Sequence, residues 1–271
     1  MSTTVKNTVI NILTWVLVLA FFFPVFWMFL NGFKPESVAS SINPKLFFTP
    51  TLDGYRLALD RGMSAYMQNS FMASIAATIG CVLLAIPAAY ALSLRRVKKV
   101  ESTLSFFIST RFMPVAAVVL PIYMILKNLG GLDNIWVLAI VYMSINLAIT
   151  VWMMRSFFLE VPGELLEAAS LDGASLWRSV REVILPLVSP GIAATALICV
   201  IFAWNEFFLA VNLTAVNAQT MPVYLVGFIA GEGQYWAVLS AAATMAALPV
   251  ILCGWFAQNK LVRGLSFGAI K

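Results

Sequence analysis

The chain has 271 residues, of which 61% are apolar and only 11% charged, and its formal net charge is +5. Soluble domains carry roughly a quarter charged residues, so a mean hydropathy of +0.91 marks an all-α polytopic membrane protein. Histidine is absent, which excludes histidine proton relays, histidine metal ligands and Ser–His catalysis.

A helix that crosses a bilayer needs about 20 mainly apolar residues. Six stretches meet that length, at 9–31, 67–94, 103–127, 134–154, 187–212 and 236–257, and are expected to be the transmembrane helices of one membrane domain spanning 1–271. The first is too long for a cleaved secretory segment and lacks a small-x-small exit, so it is expected to stay in the membrane. The 32–66 connection mixes Pro, Gly, Asn and charge and reads as an ordered cap. Pro24, Pro87, Pro114, Pro121 and Pro249 fall within apolar spans, where kinks or broken backbone hydrogen bonds are expected. Cys81, Cys199 and Cys253 are odd in number, lie in apolar segments and have no metal-ligand spacing, so they read as small buried side chains. No GxxxxGK[ST] phosphate loop occurs. The chain is therefore expected to hydrolyse no nucleotide itself, to hold no metal or cofactor and to be no enzyme.

Orientation follows from Lys and Arg, which are retained on the cytoplasmic side near span ends. With the N-terminus inside, the cytoplasmic connections and ends hold 11 of these residues, against 5 on the outer connections. Both termini are thus expected in the cytoplasm, and the segment 155–186 with them. The positive charge is a topology signal and implies no nucleic-acid partner.

Two ionisable residues lie within spans, Arg111 in the third and Glu206 in the fifth. A bare charge at the bilayer centre costs about 2.5–3.5 kcal/mol on insertion scales, so both should face protein or water. Arg111 sits ~12 Å from the inner boundary at ~1.5 Å per residue. One reading pairs each with backbone or a neighbouring subunit. The other has Arg111, Asn146, Asn205 and Glu206 line a polar solute path, since sugar hydroxyls need donors and acceptors together.

The segment 161–186 is a polar island between apolar spans. Val161-Pro162-Gly163-Glu164 reads as a helix start, because Pro suits the first turn and Glu164 and Glu167 favour the positive end of the dipole. Leu165, Ala168 and Ala169 are expected on one face, with small side chains that let a partner approach the backbone. Gly173 allows the chain to reverse. A second short helix, from about Ala174 to Val183, is expected to carry Trp177, Val180 and Ile184 on one side and to end at Pro186. A lid packed on the bundle floor and a surface built to be gripped both fit this periodicity.

Residue identity bears on that choice. Glu167-Ala168-Ala169, Gly173 after three residues, and Ile184-Leu185-Pro186 resemble the EAA loop of ATP-binding cassette importer permeases. Asp172-Gly173-Ala174 is similar to the form common in carbohydrate importers. The run Phe202-Ala203-Trp204-Asn205-Glu206-Phe207-Phe208 resembles the fifth span of maltose-type second permease subunits, and residues 258–271 resemble their C-terminal tail, with Ser266-Phe267 where Thr-Ala is usual. The resemblance implies coupling helices that sit in a cleft on an ATPase subunit, with Glu167, Ala168, Ala169, Asp172, Gly173, Ala174, Leu185 and Pro186 at the coupling loop. It further implies tail contact to the ATPase through Gly264, Leu265 and Gly268, and an outer loop whose Gly231, Gly233 and Gln234 meet a solute-binding protein. Expected partners are a homologous second permease, two ATPase subunits that bind ATP and Mg, an extracytoplasmic solute-binding protein and lipid, in a bacterial inner membrane.

Residues 109–114 and 152–158 resemble permeases for polyols and related glycosides, and Arg111 also suits an anionic glycoside. The implied function is import of a sugar, polyol or glycoside. The rival is a secondary transporter or channel driven by an ion gradient, which should show midplane acids or histidine and a visible repeat. Apart from Glu206, the sequence offers neither.

Overall fold

The computed structural model describes residues 3–95, 97–229 and 235–267. All regular structure among them is helical. Five helices are long and apolar enough to cross a membrane, six if one sharply bent pair counts as a single span. The described residues form two compact units, drawn from Met1–Ala65 with Tyr224–Pro249 and from Tyr66–Val223 with Val250–Lys271.

Four expected spans coincide with long helices, α1 (Thr3–Asn31), α4 (Met63–Leu94), α7 (Ile135–Leu159) and α13 (Trp236–Phe267). The third does not run unbroken over 103–127. It is two helices, α5 (Val100–Arg111) and α6 (Val115–Asn128), bent by 85°. Pro114 supplies the cause: it has no N–H to extend α5, and its ψ of 119° turns the chain out of helix. Pro24, Pro87, Pro121 and Pro249 sit inside continuous helices. The fifth span also differs from 187–212. Helix α10 (Leu185–Trp204) stops at Asn205, and a short α11 (Phe208–Leu213) follows.

In the first unit the connection after α1 folds into α2 (Glu36–Ala39) and α3 (Asp53–Asp60), before α12 (Met221–Val226) returns part of the chain to it. Tyr224 donates its hydroxyl to the Ala58 carbonyl at 2.6 Å. Lys34 is 2% exposed, with its ammonium 4.0 Å from the Trp27 ring centroid and 5.4 Å from that of Phe48. Burial pushes its pKa down, and the two ring faces offset part of that desolvation.

In the second unit, α4 buries Ala73, Ala77, Cys81, Ala85 and Ala89, every fourth residue, so its neighbours approach the backbone closely. Leu138, Val141 and Tyr142 of α7 pack there with Ala203, Leu209 and Leu213. A second cluster joins Val151, Met154 and Phe158 of α7 to Ile184 and Val188. Asp133, in the turn before α7, closes this unit. Its carboxylate accepts backbone N–H groups of Ala215, Val216, Asn217 and Ala218 at 2.9–3.2 Å, and the Asn217 amide at 2.9 Å.

Candidate functional site

Two features are the candidates for function, the polar segment between α7 and α10 and a cavity at the broken third span. In the polar segment, Pro162 precedes α8 (Gly163–Leu171), with Glu164 in the first turn. The helix ends in a tight left-handed turn. Gly173 has φ +74°, its N–H donates to Ser170, and the Ala174 N–H donates to Ala169 at 2.9 Å. These paired bonds satisfy carbonyls that α8 would otherwise leave open. Ser175 then accepts from the Arg178 N–H and starts α9 (Leu176–Ser179).

The faces differ from the sequence expectation. Ala169 and Leu166 turn toward the core, whereas Leu165, Glu167 and Ala168 are exposed and Leu171 is 89% exposed. Leu165 and Ala168 therefore do not share a face with Ala169, because the buried stripe runs through 166 and 169. Trp177 is 70% exposed and stands apart from the buried Ile184. Pro186 does not end the second helix either. Residues Val180–Ile184 form a π turn that carries α9 directly into α10, with Leu185 and Pro186 in its first turn. A proline there is tolerated because the widened turn already lacks the i→i−4 bond its ring would obstruct.

The cavity measures about 260 Å³ and is lined by Thr110, Arg111, Met113, Ser144, Ile145 and Leu209 among others. Arg111 donates from Nη1 to the Ile145 carbonyl at 3.2 Å, and its guanidinium lies 5.1 Å from the Phe202 ring centroid. Thr110 and Ser144 donate their hydroxyls to their own helices, which leaves their lone pairs to accept. The wall thus offers a cation, two acceptors and an apolar floor.

Of the four residues expected on a solute path, only Arg111 lines this cavity. Asn146 is buried, its amide donating to the Tyr142 carbonyl at 2.9 Å. Asn205 donates back to Ile201 and ends α10. Glu206 accepts the Leu209 N–H at 2.8 Å and so caps α11, while Tyr142 donates to the Glu206 carbonyl. These three are helix-end and core groups. Met113, inside the 109–114 stretch, and Ser144, which no motif marks, line the cavity instead, beside the break at Pro114. Gly264 and Leu265 lie in the last turns of α13. Gly231, Gly233, Gln234 and Gly268 lie outside the described residues.

Residues 81–266 match the family described as the binding-protein-dependent transport system inner membrane component. The chain belongs to that family. Relatives within it include a probable ABC transporter permease protein, y4oR, of Sinorhizobium fredii, 35% identical over 94% of this chain and 92% of the relative. The diacetylchitobiose uptake system permease protein DasC of Streptomyces coelicolor is 33% identical over 96% of each chain. The trehalose transport system permease protein SugB of Mycobacterium tuberculosis is 32% identical over 92% of each. Among solved structures, a bacterial ABC transporter involved in importing the acidic polysaccharide alginate contains a chain of the same fold. It matches with a TM-score of 0.78 at 23% identity, over 96% of this permease and 99% of that chain.

Proposed function

We propose that this permease subunit imports a sugar, polyol or glycoside as half of a translocation pathway completed by a homologous second permease. Relatives of nearly equal length serve diacetylchitobiose and trehalose uptake by name, which supports carbohydrate cargo. Two ATPase subunits, which bind ATP and Mg, drive the cycle, and an extracytoplasmic solute-binding protein delivers the solute. The subunit sits in a bacterial inner membrane with both termini in the cytoplasm, as its Lys and Arg distribution favours.

The observation that carries this reading is the elbow at Gly173. Helix α8 is tied off by two backbone hydrogen bonds and followed at once by α9, the π turn and α10. Force applied at exposed Glu167 and Ala168 crosses the Gly173 turn into α9, the π turn and α10, which run on as continuous helix into a span. The chain itself has no phosphate-binding loop, so that force comes from another molecule. Closure of the ATPase pair moves the elbow, the spans rock, and the cavity beside Arg111 changes the side it faces. Each conformation is favoured by what binds it, since a ligand shifts an equilibrium only by its differential affinity. Arg111, Thr110 and Ser144 present this subunit's share of the solute surface.

Reconstitution in proteoliposomes tests the reading. Uptake is expected only when both permeases, the ATPase subunits, ATP and solute-loaded binding protein are present. Nucleotide-independent uptake by this chain alone would overturn it. Thermal-shift screening of the binding protein against neutral and anionic glycosides identifies the cargo.

A further inference from the structure

The cavity at the broken third span holds a charge without a counter-charge. Arg111 lines it, and no Asp or Glu is among the described residues that share its wall. Arg111 also makes no ion pair among the described residues. The carbonyls that end α5 do not take up its donors. The guanidinium reaches across to α7 instead, where Nη1 donates to the Ile145 carbonyl at 3.2 Å, and it lies over the Phe202 ring at 5.1 Å. One carbonyl and one ring hold the group in place without neutralising it. A guanidinium carries five N–H donors, and a single hydrogen bond to protein is made here among the described residues. The edge formed by Nε and Nη2 is left open. That edge is a fork which takes an oxyanion through two parallel bonds.

We propose that this cavity binds the acid group of an acidic glycoside, and that Arg111 selects it over the corresponding neutral sugar. The inference rests on the importer reading, in which the cavity faces the solute, and narrows its cargo to an anionic class. A charge within a span is costly unless it meets a partner or a ligand path. A sugar hydroxyl could accept from Arg111 but would leave that charge uncompensated. Met113, Val115, Val118, Ile122 and Leu209 make the rest of the wall largely apolar, so an anion is drawn there more strongly than in water. Thr110 and Ser144 keep lone pairs free to accept from hydroxyls of the same sugar. Arginine stays protonated throughout the physiological range, so the selection does not depend on its titration.

The test uses the complete complex in proteoliposomes, with ATP inside and binding protein outside. The probes are labelled uronides and sulfonated glycosides, each paired with the neutral glycoside of the same ring and linkage. The native complex is expected to favour an acidic member over its neutral partner in kcat/KM. Arg111→Gln should cut that preference about tenfold, and Arg111→Lys by less. Because the binding protein is the same throughout, the change in preference belongs to the permease. An unchanged preference in Arg111→Gln overturns the inference, as does an equal loss for both members of a pair. A second measurement needs no variant: phenylglyoxal modification of Arg111, followed by peptide mass spectrometry, should be slowed by the acidic member and not by its neutral partner. Equal protection by both would also overturn it. Uptake that needs neither ATP nor binding protein sinks the importer reading and this inference with it. ATP-driven uptake confined to the neutral members sinks this inference alone.

Discussion

Leu185 donates its backbone N–H to the carbonyl of Val180, five residues back instead of four. Pro186 follows immediately and stands four residues after Glu182, where its ring would press on the Glu182 carbonyl in an ordinary α-helix. Widening the turn relieves that pressure and inserts one extra residue into the helix that joins the elbow to α10.

A one-residue deletion can remove the widened turn while keeping the helix faces before and after it in register. Arg181 is the residue to delete, because it is exposed and the Arg178–Glu182 ion pair at 2.9 Å then survives at i,i+3. The complex is expected to assemble and hydrolyse ATP, with solute uptake reduced at least tenfold. Native uptake by the deletion variant would reduce the π turn to an accommodation of Pro186.

Gly173 and Glu167 separate the shape of the elbow from its chemistry. A Cβ at Gly173 would meet no atom within 4 Å, so substitution there acts only through the φ of +74°. Gly173→Asn, which tolerates left-handed backbone, should transport nearly as well as the native protein. Gly173→Ala should lose ~1–2 kcal/mol in the turn and couple weakly, and Gly173→Pro should hydrolyse ATP without transport. Glu167→Lys changes an exposed side chain and should uncouple with the fold intact. Full uptake by both the proline and lysine variants would remove the elbow from the drive.

Arg111 is the one charge at the cavity wall. Arg111→Ala should lower uptake tenfold or more while the complex still assembles. Arg111→Lys should fall between, since an ammonium keeps the charge but loses the planar guanidinium that meets the Phe202 ring and reaches the Ile145 carbonyl together. Uptake assays alongside size-exclusion profiles decide the matter, and normal transport by the alanine variant would take Arg111 off the solute path.

The long spans were legible because apolar length and proline are local signals, and the elbow because Gly173 and the EAA-like residues stand at fixed spacing. The small-residue stripe from Ala73 to Ala89 on α4 emerged only from the packing, because alanines are common all along an apolar span and do not mark a face by themselves. Other features were not readable in the same way. Whether Pro114 breaks a span or only curves it depends on what packs on either side, and Pro87 and Pro249 show the same residue inside unbroken helix. Asn146, Asn205 and Glu206 look like solute ligands by residue type, yet each makes a hydrogen bond to a nearby backbone group and none lines the cavity beside Arg111. Polar identity in a span says that a partner is needed, not which partner is found.

Asp133 gives a stability prediction with a defined pH sign. Burial by itself would raise its pKa, but the N–H donors of Ala215, Asn217, Ala218 and Val216 together hold its carboxyl well below the usual carboxylate range. Its φ of +54° suits Asp or Asn, so Asp133→Asn removes the charge without straining the backbone. A folded-state pKa below the unfolded value of about 3.9 means the unfolded chain binds more protons in between. The contribution is therefore complete above about pH 4–5 and is lost as pH falls toward the folded value. Hydrogen bonds to a charged group contribute about 1.5–3 kcal/mol, and solvent at this half-exposed site brings the expected loss to about 1–2 kcal/mol. That corresponds to a thermal midpoint lower by ~2–8 °C at pH 7 for a chain of this size. Melting curves in detergent at pH 7 and near pH 3 should show the gap between native and Asp133→Asn protein narrowing in acid. A gap that widens on acidification would show that Asp133 is not held as the charged acceptor of those four amides.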